Sequence, residues 1–543
     1  MQNRQWWSGA VIYQVYPRSF FDSDGDGVGD LPGVTAKLDY IASLGVDAIW
    51  LSPFFRSPMR DFGYDVADHG AVDPVFGTLS DVDRLLARAH ALGLKVIIDL
   101  VCGHTSDEHH WFQTSRTGRD GLHSDWYVWA DAKPNGAPPN NWLSVFGGPA
   151  WRWDAQRRQY YLHHFLASQP SLNLRHPEVT EALLDVARFW LARGVDGFRL
   201  DAIDFLLHDP ALTDNPRRTP PSGAVVKPFG LQEHLYDMMQ SEPPVLLARL
   251  RALADARPGT LLLGEFSSQE GAYERIASHT GPEGLHLGYT LRPMRGGDAA
   301  GMLGRALGEI AEAGGGQGLC WAFSNHDAAR VASRWGVGAA GHAASAQLLL
   351  GLLLSLQGTI CLYQGEELGL TEARLTREQL RDPQGIASFP HFPGRDGSRT
   401  PLPWRAGEAH AGFTAGEPWL PLPAEHHPLS IDLQHADPAA PLQACRRLIA
   451  WRKAHPALRY GDLTPLDLPA PLIGFIREAP GERLVLAFNP SATPVRLASP
   501  LLGNGELCED GFAGLVEGNM AVLPPWGALA LSLAATTRRQ KVG

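Results

Sequence analysis

The chain contains 543 residues, of which 44% are hydrophobic and 19% are charged, a composition typical of a globular protein with about two or three domains. Its formal charge of −11 argues against nucleic acid or an anionic membrane surface as a partner. Five scattered cysteines without CxxC spacing indicate neither a disulfide framework nor a thiolate metal site. The first residues form no apolar signal region, and no apolar run is long enough to span a membrane. We therefore expect a cytoplasmic protein, either a monomer or a homodimer.

A helix that ends on glycine and is followed by a short apolar run recurs along the chain. The runs at 47–53, 95–101 and 197–201 each follow such a glycine. Further runs of the same kind lie at 11–16, 260–266, 285–289, 318–323 and 359–363. Near-continuous apolar strands that alternate with helices are typical of parallel strands covered on both faces. Eight of them predict an α/β fold of the (β/α)₈ TIM-barrel type.

Spacing along the chain predicts two further domains. Nearly a hundred residues separate the third strand from the fourth, far more than a strand-to-helix loop needs. We assign residues 104–172 to a lobe inserted there, and residues 1–103 and 173–459 to the barrel. The alternating apolar segments of residues 460–543 predict a C-terminal antiparallel β-sandwich.

Acidic residues end several of the predicted strands. Asp201, Glu265 and Asp327 follow the fourth, fifth and seventh strands, and the carboxyl ends of parallel strands meet at one end of a barrel. A buried Arg199 two residues before Asp201 indicates an ion pair, which is either structural or keeps Asp201 ionised as a nucleophile. The apolar run before Glu265 favours its protonated form. Such a set of carboxyl groups suits cleavage of a glycosidic bond.

Four segments in the expected order and spacing resemble the signatures of the α-amylase family of glycoside hydrolases. They are residues 99–104, 197–201, 264–266 and 323–327. Residues 7–20, 61–65 and 394–401 resemble the α-glucosidase and oligo-1,6-glucosidase branch of that family. The resemblance covers residues 5–404. The C-terminal domain is less diagnostic of the family.

This resemblance implies a role for each matching residue. Asp201 would be the nucleophile, Glu265 the acid/base, and Asp327 a ligand of the sugar hydroxyls. The implied substrate-binding residues are Asp61, Tyr64, His104, Phe165, Arg199, His326 and Arg395. Gln169 is expected to line the pocket together with Phe165, and Arg399 is the alternative to Arg395 as the glycone-binding arginine. The expected activity is that of a retaining, exo-acting α-glucosidase on maltose and short α-glucosides, with some glucosyl transfer and no organic cofactor. The alternatives are a transglycosylase or isomerase, an oligo-1,6-glucosidase, and a non-catalytic barrel.

Ala202 bears on the linkage that is cleaved. Family members that cleave α-1,6 bonds tend to carry valine directly after the nucleophile, and α-1,4-specific members carry a smaller or polar residue. The alanine of this chain therefore implies a preference for maltose over isomaltose.

The loop after the first strand carries acidic side chains at alternate positions. Its predicted metal ligands are the carboxylates Asp22, Asp24, Asp26 and Asp30 together with the carbonyl of Val28. Hard oxygen ligands at this spacing suit a structural Ca²⁺, with Mg²⁺ as the alternative ion and an unmetallated acidic turn as the alternative structure. Gly103 replaces the asparagine that ligates calcium in α-amylases, so the resemblance does not imply the amylase-type calcium site.

Overall fold

A parallel sheet of eight strands forms the centre of the computed structural model. The structure describes residues 4–219, 227–242, 244–268, 271–335, 341–498, 505–508, 512–518 and 520–533; the predicted domain limits at residues 1 and 543 lie outside them. The strands are β1 (Val11–Val15), β2 (Ala48–Leu51), β3 (Lys95–Leu100), β4 (Gly197–Leu200), β5 (Leu261–Phe266), β6 (Leu287–Thr290), β7 (Cys320–Ala322) and β8 (Thr359–Tyr363). They pair in the order β6-β5-β4-β3-β2-β1-β8-β7, and a parallel bridge between Gly288 and Leu319 closes the ring. The predicted (β/α)₈ barrel is confirmed.

Helices cover the outside of this barrel. The α-helices span Leu31–Ala36, Leu38–Ser43, Leu79–Ala91, His110–Ser115, Pro177–Arg193, Val245–Asp255, Ala272–His279, Ala299–Glu312, Val331–Arg334, His342–Ser355, Pro383–Ser388, Ile431–Ala436, Pro441–Ala454 and Pro456–Tyr460. Short 3₁₀ helices span Pro17–Ser19, Ile203–Phe205, Pro228–Leu231, Arg292–Met294, Asp396–Ser398, Ala409–Gly412 and Ala424–Leu429. The helix before β4 ends at Gly194, whose φ of 109° closes the helix and turns the chain into the strand.

The sixth strand begins two residues later than the sequence predicts. Leu285 donates its amide to the His279 carbonyl and pairs with Thr280 in an isolated bridge that is not part of the barrel sheet. The side chain of His286 then accepts the amide of Leu262, which leaves Leu287 as the first residue with strand geometry.

The segment between β3 and β4 contains a sheet of its own. Its three antiparallel strands are Trp129–Ala130, Trp151–Asp154 and Gln159–Leu162. Antiparallel bridges join His104 to Ser171 and Tyr127 to Leu172, so both ends of the segment return to the same place on the barrel. A two-stranded ribbon, Phe55–Arg56 and Asp68–Val72, lies after β2. The exact boundaries 104 and 172 stay predictions.

The C-terminal part forms two antiparallel sheets. The larger contains Asp462–Pro465, Ile473–Ala479, Glu482–Phe488, Glu506–Leu507 and Ala528–Leu533, and the smaller contains Val495–Ala498, Leu515–Glu517 and Met520–Leu523. Buried side chains from both sheets, among them Val485, Leu531 and Leu523, form a shared core. This confirms the predicted antiparallel C-terminal domain. Among the described residues no helix is both long and apolar enough to cross a lipid bilayer.

Candidate active site

The guanidinium of Arg199 lies at the C-terminal end of the barrel, fully buried, and contacts three carboxylates. Its Nη1 donates to Asp201 Oδ1 at 2.7 Å and to Asp99, while its Nη2 donates to Glu265 Oε2. Nη2 also donates to the Tyr289 hydroxyl oxygen at 2.9 Å. Asp99 is the register partner of Arg199 across β3 and β4, which explains why the two side chains meet. One cation therefore holds together three acidic groups that would otherwise repel one another.

Burial gives different pKa values to Asp201 and Glu265, the two predicted catalytic carboxyl groups. It raises the pKa of Glu265 to about 8 in spite of the charge of Arg199, and the neighbouring Asp201 adds to the rise. Burial also raises the pKa of Asp201, to about 6, because it outweighs the lowering by Arg199. At neutral pH Glu265 is therefore the protonated member of the pair and Asp201 the ionised one. The arginine lowers the pKa of Asp201 as predicted but does not bring it below the ordinary value.

A second group of charges lies beside the first and centres on Asp327. Arg395 donates to Asp61 Oδ1 at 2.7 Å, to Asp382 Oδ1 at 2.8 Å and to Asp327 Oδ1 at 3.2 Å. Arg399 donates to the same oxygen of Asp327 at 2.7 Å. Both rival arginines thus reach Asp327, but within the described residues Arg395 is the one that also contacts Asp61.

His326 connects Asp327 to the first strand of the barrel. The Gln14 amide donates to His326 Nδ1 at 2.8 Å, which places the ring hydrogen on Nε2, 3.2 Å from Asp327 Oδ2. Burial lowers the pKa of His326 to about 4, so the ring is neutral. Although burial alone would raise the pKa of Asp327, His326 and the two arginines hold it well below its usual range. The Tyr64 ring stacks on His326, with centroids 5.2 Å apart, and its hydroxyl lies 3.4 Å from Asp99 Oδ2.

The segment between β3 and β4 contributes the remaining side chains. Gln169 donates to Asp61 Oδ2 at 3.0 Å and lies 3.3 Å from His104 Nε2. The His104 ring lies 5.2 Å from the Phe165 ring. Burial lowers the pKa of His104 to about 4, which makes it a neutral hydrogen-bonding group. These contacts place the segment over the barrel end that carries the carboxylates.

The predicted site residues therefore form one connected set of contacts. Its members are Asp61, Tyr64, His104, Phe165, Arg199, Asp201, Glu265, His326, Asp327 and Arg395. Asp382 is a further member that was not predicted from the sequence; its carboxylate accepts from Arg395 and lies fully buried. Asp382 precedes a proline and caps the helix Pro383–Ser388, so its sequence context indicates a helix start and gives no sign of the site.

The acidic loop after β1 brings three of its carboxylates together. Oxygen atoms of Asp22, Asp24 and Asp30 all lie within 4.8 Å of one another. Asp26 is not in this group, and its Oδ1 accepts the amide of Val28 at 2.7 Å. The three grouped carboxylates supply the hard oxygen donors that a divalent cation requires.

Residues 14–461 match the profile of the alpha amylase catalytic domain. This chain belongs to the α-amylase family. A probable alpha-glucosidase of Rhizobium meliloti (strain 1021) is 49% identical over 98% of this chain and 98% of its own length. An oligo-1,6-glucosidase of Heyndrickxia coagulans is 36% identical over 92% of this chain and 96% of its own. The crystal structure of an alpha-glucosyl transfer enzyme has 50% identity and a TM-score of 0.94, over 98% of this chain and 100% of that one.

Membership of the α-amylase family confirms the resemblance drawn from the four segments and makes the chain an enzyme.

The residue after Asp201 has an unusual backbone conformation. Ala202 has φ 44° and ψ 54°, a left-handed conformation that β-branched side chains adopt only with strain. Its amide donates to Glu265 Oε2 at 3.3 Å. Ala202 is therefore adjacent in sequence to Asp201 and is also hydrogen-bonded, through its backbone amide, to the carboxyl group of Glu265.

Proposed function

We propose that this α-amylase family enzyme is a retaining, exo-acting α-glucosidase that releases terminal α-1,4-linked glucose from maltose and short malto-oligosaccharides. The observation that carries the proposal is the bridging of Asp201 and Glu265 by the guanidinium of Arg199. Retaining glycosidases keep their two carboxyl groups ~5–5.5 Å apart, whereas inverting ones leave ~6.5–9.5 Å for a water molecule. Two carboxylates that share one arginine support the shorter separation.

The reaction then has two steps in which these groups exchange roles. Ionised Asp201 attacks the anomeric carbon while Glu265 gives its proton to the departing glycosidic oxygen, which leaves a β-glucosyl ester on Asp201. Glu265, now a carboxylate, takes a proton from water as the water oxygen attacks that carbon and releases Asp201. We assign to Asp327 and Asp61, which Arg395 bridges, the role of holding hydroxyls of the terminal glucose.

Initial rates on maltose and isomaltose, with the released anomer followed by NMR, test this proposal. We expect α-glucose as the first product, because two successive displacements at the anomeric carbon restore its configuration. We expect a higher kcat/KM for maltose, because the residue that directly follows Asp201 is the small Ala202, the residue type that the family resemblance links to α-1,4 cleavage. Trehalose and sucrose serve as controls for other glucosides. First release of β-glucose would overturn retention, and faster turnover of isomaltose would overturn the linkage preference.

Glucosyl transfer is the second candidate function. It is supported by the likeness to the alpha-glucosyl transfer enzyme over the whole chain. The same covalent intermediate serves both outcomes, since either water or a sugar hydroxyl can give its proton to Glu265 and attack the anomeric carbon. The ratio of free glucose to longer or rearranged sugars from concentrated maltose measures how the intermediate is divided between them.

The pH profile of kcat/KM should be bell-shaped. Activity needs ionised Asp201, so it falls as pH drops through about 6, and it needs protonated Glu265, so it falls as pH rises through about 8. Initial rates on maltose between about pH 4 and pH 10 measure both limbs. Glu265→Gln cannot lose a proton from this side chain, and its residual activity should show no alkaline limb. An alkaline limb that persists in Glu265→Gln would assign that limb to another group.

We propose that the acidic loop after β1 binds a structural Ca²⁺, with Mg²⁺ as the alternative. Asp22, Asp24 and Asp30 would hold the ion, and the sequence pattern assigns Asp26 and the Val28 carbonyl to complete the set. The ion would neutralise the mutual repulsion of the carboxylates and fix this loop at the C-terminal end of the barrel.

Chelation tests this metal site. At free calcium about 100-fold above its Kd, the ion should add about 2.7 kcal/mol to the free energy of unfolding. Tm should therefore fall on addition of EDTA and recover with calcium, and Asp24→Asn should remove this response. Asp467→Asn removes an exposed carboxylate of the C-terminal domain and should keep it. A wild-type Tm that responds to neither EDTA, calcium nor magnesium would contradict the proposal.

A further inference from the structure

A tyrosine hydroxyl completes the hydrogen bonding of Arg199. Tyr289 lies in β6, is 1% exposed, and is the register partner of Glu265 across β5 and β6. Its hydroxyl oxygen accepts from Arg199 Nη2 at 2.9 Å and from Nε at 3.3 Å. The same Nη2 donates to Glu265. One nitrogen atom of Arg199 therefore links the Tyr289 hydroxyl to the acid/base carboxyl.

Every N–H group of the Arg199 guanidinium has an acceptor. An arginine side chain carries five such groups, two on each Nη and one on Nε. Those of Nη1 are directed at Asp99 and Asp201. Nη2 donates to Glu265 and Tyr289, and Nε donates to Tyr289. Glu265 thus receives one hydrogen bond from Arg199, because the tyrosine occupies the other two N–H groups on that side.

Packing alone does not require the hydroxyl group of Tyr289. Its ring lies against Trp50, with centroids 5.8 Å apart, and the Cζ of Arg199 lies 4.9 Å from the Trp50 ring centroid. A phenylalanine ring would make the same ring contact. The hydroxyl adds an acceptor for a buried cation, and a buried N–H without an acceptor costs free energy. It therefore acts on Arg199 and, through Arg199, on the carboxyl groups.

We infer that Tyr289 is a positioning residue for the acid/base carboxyl, because its hydroxyl occupies two N–H groups of Arg199 that would otherwise be free to stabilise ionised Glu265. This rests on the acid/base role proposed for Glu265 and adds a residue that controls it. A hydrogen bond from a cation favours the charged form of a carboxyl group. A guanidinium that gives Glu265 one such bond leaves it protonated, as an acid must be before it can give its proton to the leaving group.

Further charges act on Glu265, and a change of Tyr289 to phenylalanine leaves each of them in place. They come from β3, from β4 and its end, and from the loops after β7 and β6: Asp99, Arg199, Asp201, Asp327 and Arg295. Burial holds the pKa of Tyr289 well above its ordinary value, so its hydroxyl is neutral over the working range of the enzyme. The substitution therefore removes a dipole and no charge.

Tyr289→Phe tests the inference through the pH dependence of kcat/KM. The alkaline limb should lie about one pH unit lower than in the wild type, the effect of one hydrogen bond to a charged group. The loss of kcat/KM on maltose should therefore be about fivefold near pH 8 and slight near pH 6. With 4-nitrophenyl α-glucoside the loss near pH 8 should be smaller, since nitrophenolate leaves without a proton. A purely structural defect would lower both rates to the same degree at every pH.

Tyr13→Phe is the matched control. Tyr13 lies fully buried in β1, and its hydroxyl donates to Glu367 Oε1 at 2.6 Å and not to the catalytic carboxyls. The same substitution there also removes a buried hydrogen bond to a carboxyl group. It should leave the alkaline limb where it lies in the wild type.

A direct titration separates this inference from the proposed function. In protein labelled with carbon-13 at the glutamate side-chain carboxyls, the resonance that Glu265→Gln lacks is that of Glu265. Its midpoint should fall from about pH 8 in the wild type to about pH 7 in Tyr289→Phe. An equal or higher midpoint in Tyr289→Phe would overturn the inference. A midpoint that falls as expected while the alkaline limb of kcat/KM does not move would instead contradict the acid/base role in the proposed function.

Discussion

Asp201→Ala should lose at least about 10⁴-fold in kcat on maltose, because removal of a catalytic nucleophile leaves only binding and electrostatic assistance. The loss of kcat should come from the missing nucleophile and not from damage to the fold. The truncated side chain frees Arg199 Nη1 from one contact but leaves Asp99 and Glu265 bonded to the same guanidinium. Tm should therefore change little compared with the loss in rate.

Azide can take the place of the missing carboxylate. With 4-nitrophenyl α-glucoside, azide should enter the space of the Asp201 side chain and attack the anomeric carbon as nitrophenolate leaves. The product should be β-glucosyl azide, because attack comes from the face that the nucleophile occupies.

Glu265→Ala is the matched control for this experiment. Its covalent intermediate still forms with a nitrophenyl donor, which needs little acid assistance, and azide then attacks the ester from the opposite face. The product should be α-glucosyl azide. The two anomers thus assign nucleophile and acid/base independently of rate, and the same anomer from both variants would contradict the assignment.

The catalytic carboxyls could be predicted from sequence because the fold places them by a simple rule. Each follows an apolar run, and parallel strands bring such positions to one end of the barrel. The protonation of Glu265 could be predicted for the same reason, since the run before it is buried throughout. The pairing of Asp99 with Arg199 requires strand order and register, which the sequence does not state.

Residues from long loops were harder to predict. Asp61 and Arg395 are recognisable only by resemblance, since neither sits at a strand end. Asp382 belongs to a loop whose path depends on contacts made in three dimensions, such as its ion pair with Arg395. No local pattern of hydrophobicity or spacing distinguishes these charges from ordinary surface residues.

Arg199→Met should reduce activity about 10³-fold or more and reduce the free energy of unfolding by about 3–5 kcal/mol at neutral pH. The substitution leaves Asp99, Asp201 and Glu265 buried without their shared counter-charge. The pKa of each carboxyl then rises further, so the nucleophile becomes protonated and loses its reactivity.

The pH dependence of unfolding separates this electrostatic effect from lost packing. A carboxyl whose folded pKa lies above its unfolded value destabilises the protein at high pH, and the penalty disappears as pH falls and the group is protonated. The stability deficit of Arg199→Met should therefore shrink between about pH 8 and pH 5, and adding Asp99→Asn should restore part of it at pH 7. Arg452 is equally buried but donates to the carbonyls of Leu354, Leu356 and Gly358. Arg452→Met should lose stability without this recovery at low pH, and equal pH dependence in both variants would show that Arg199 acts through packing alone.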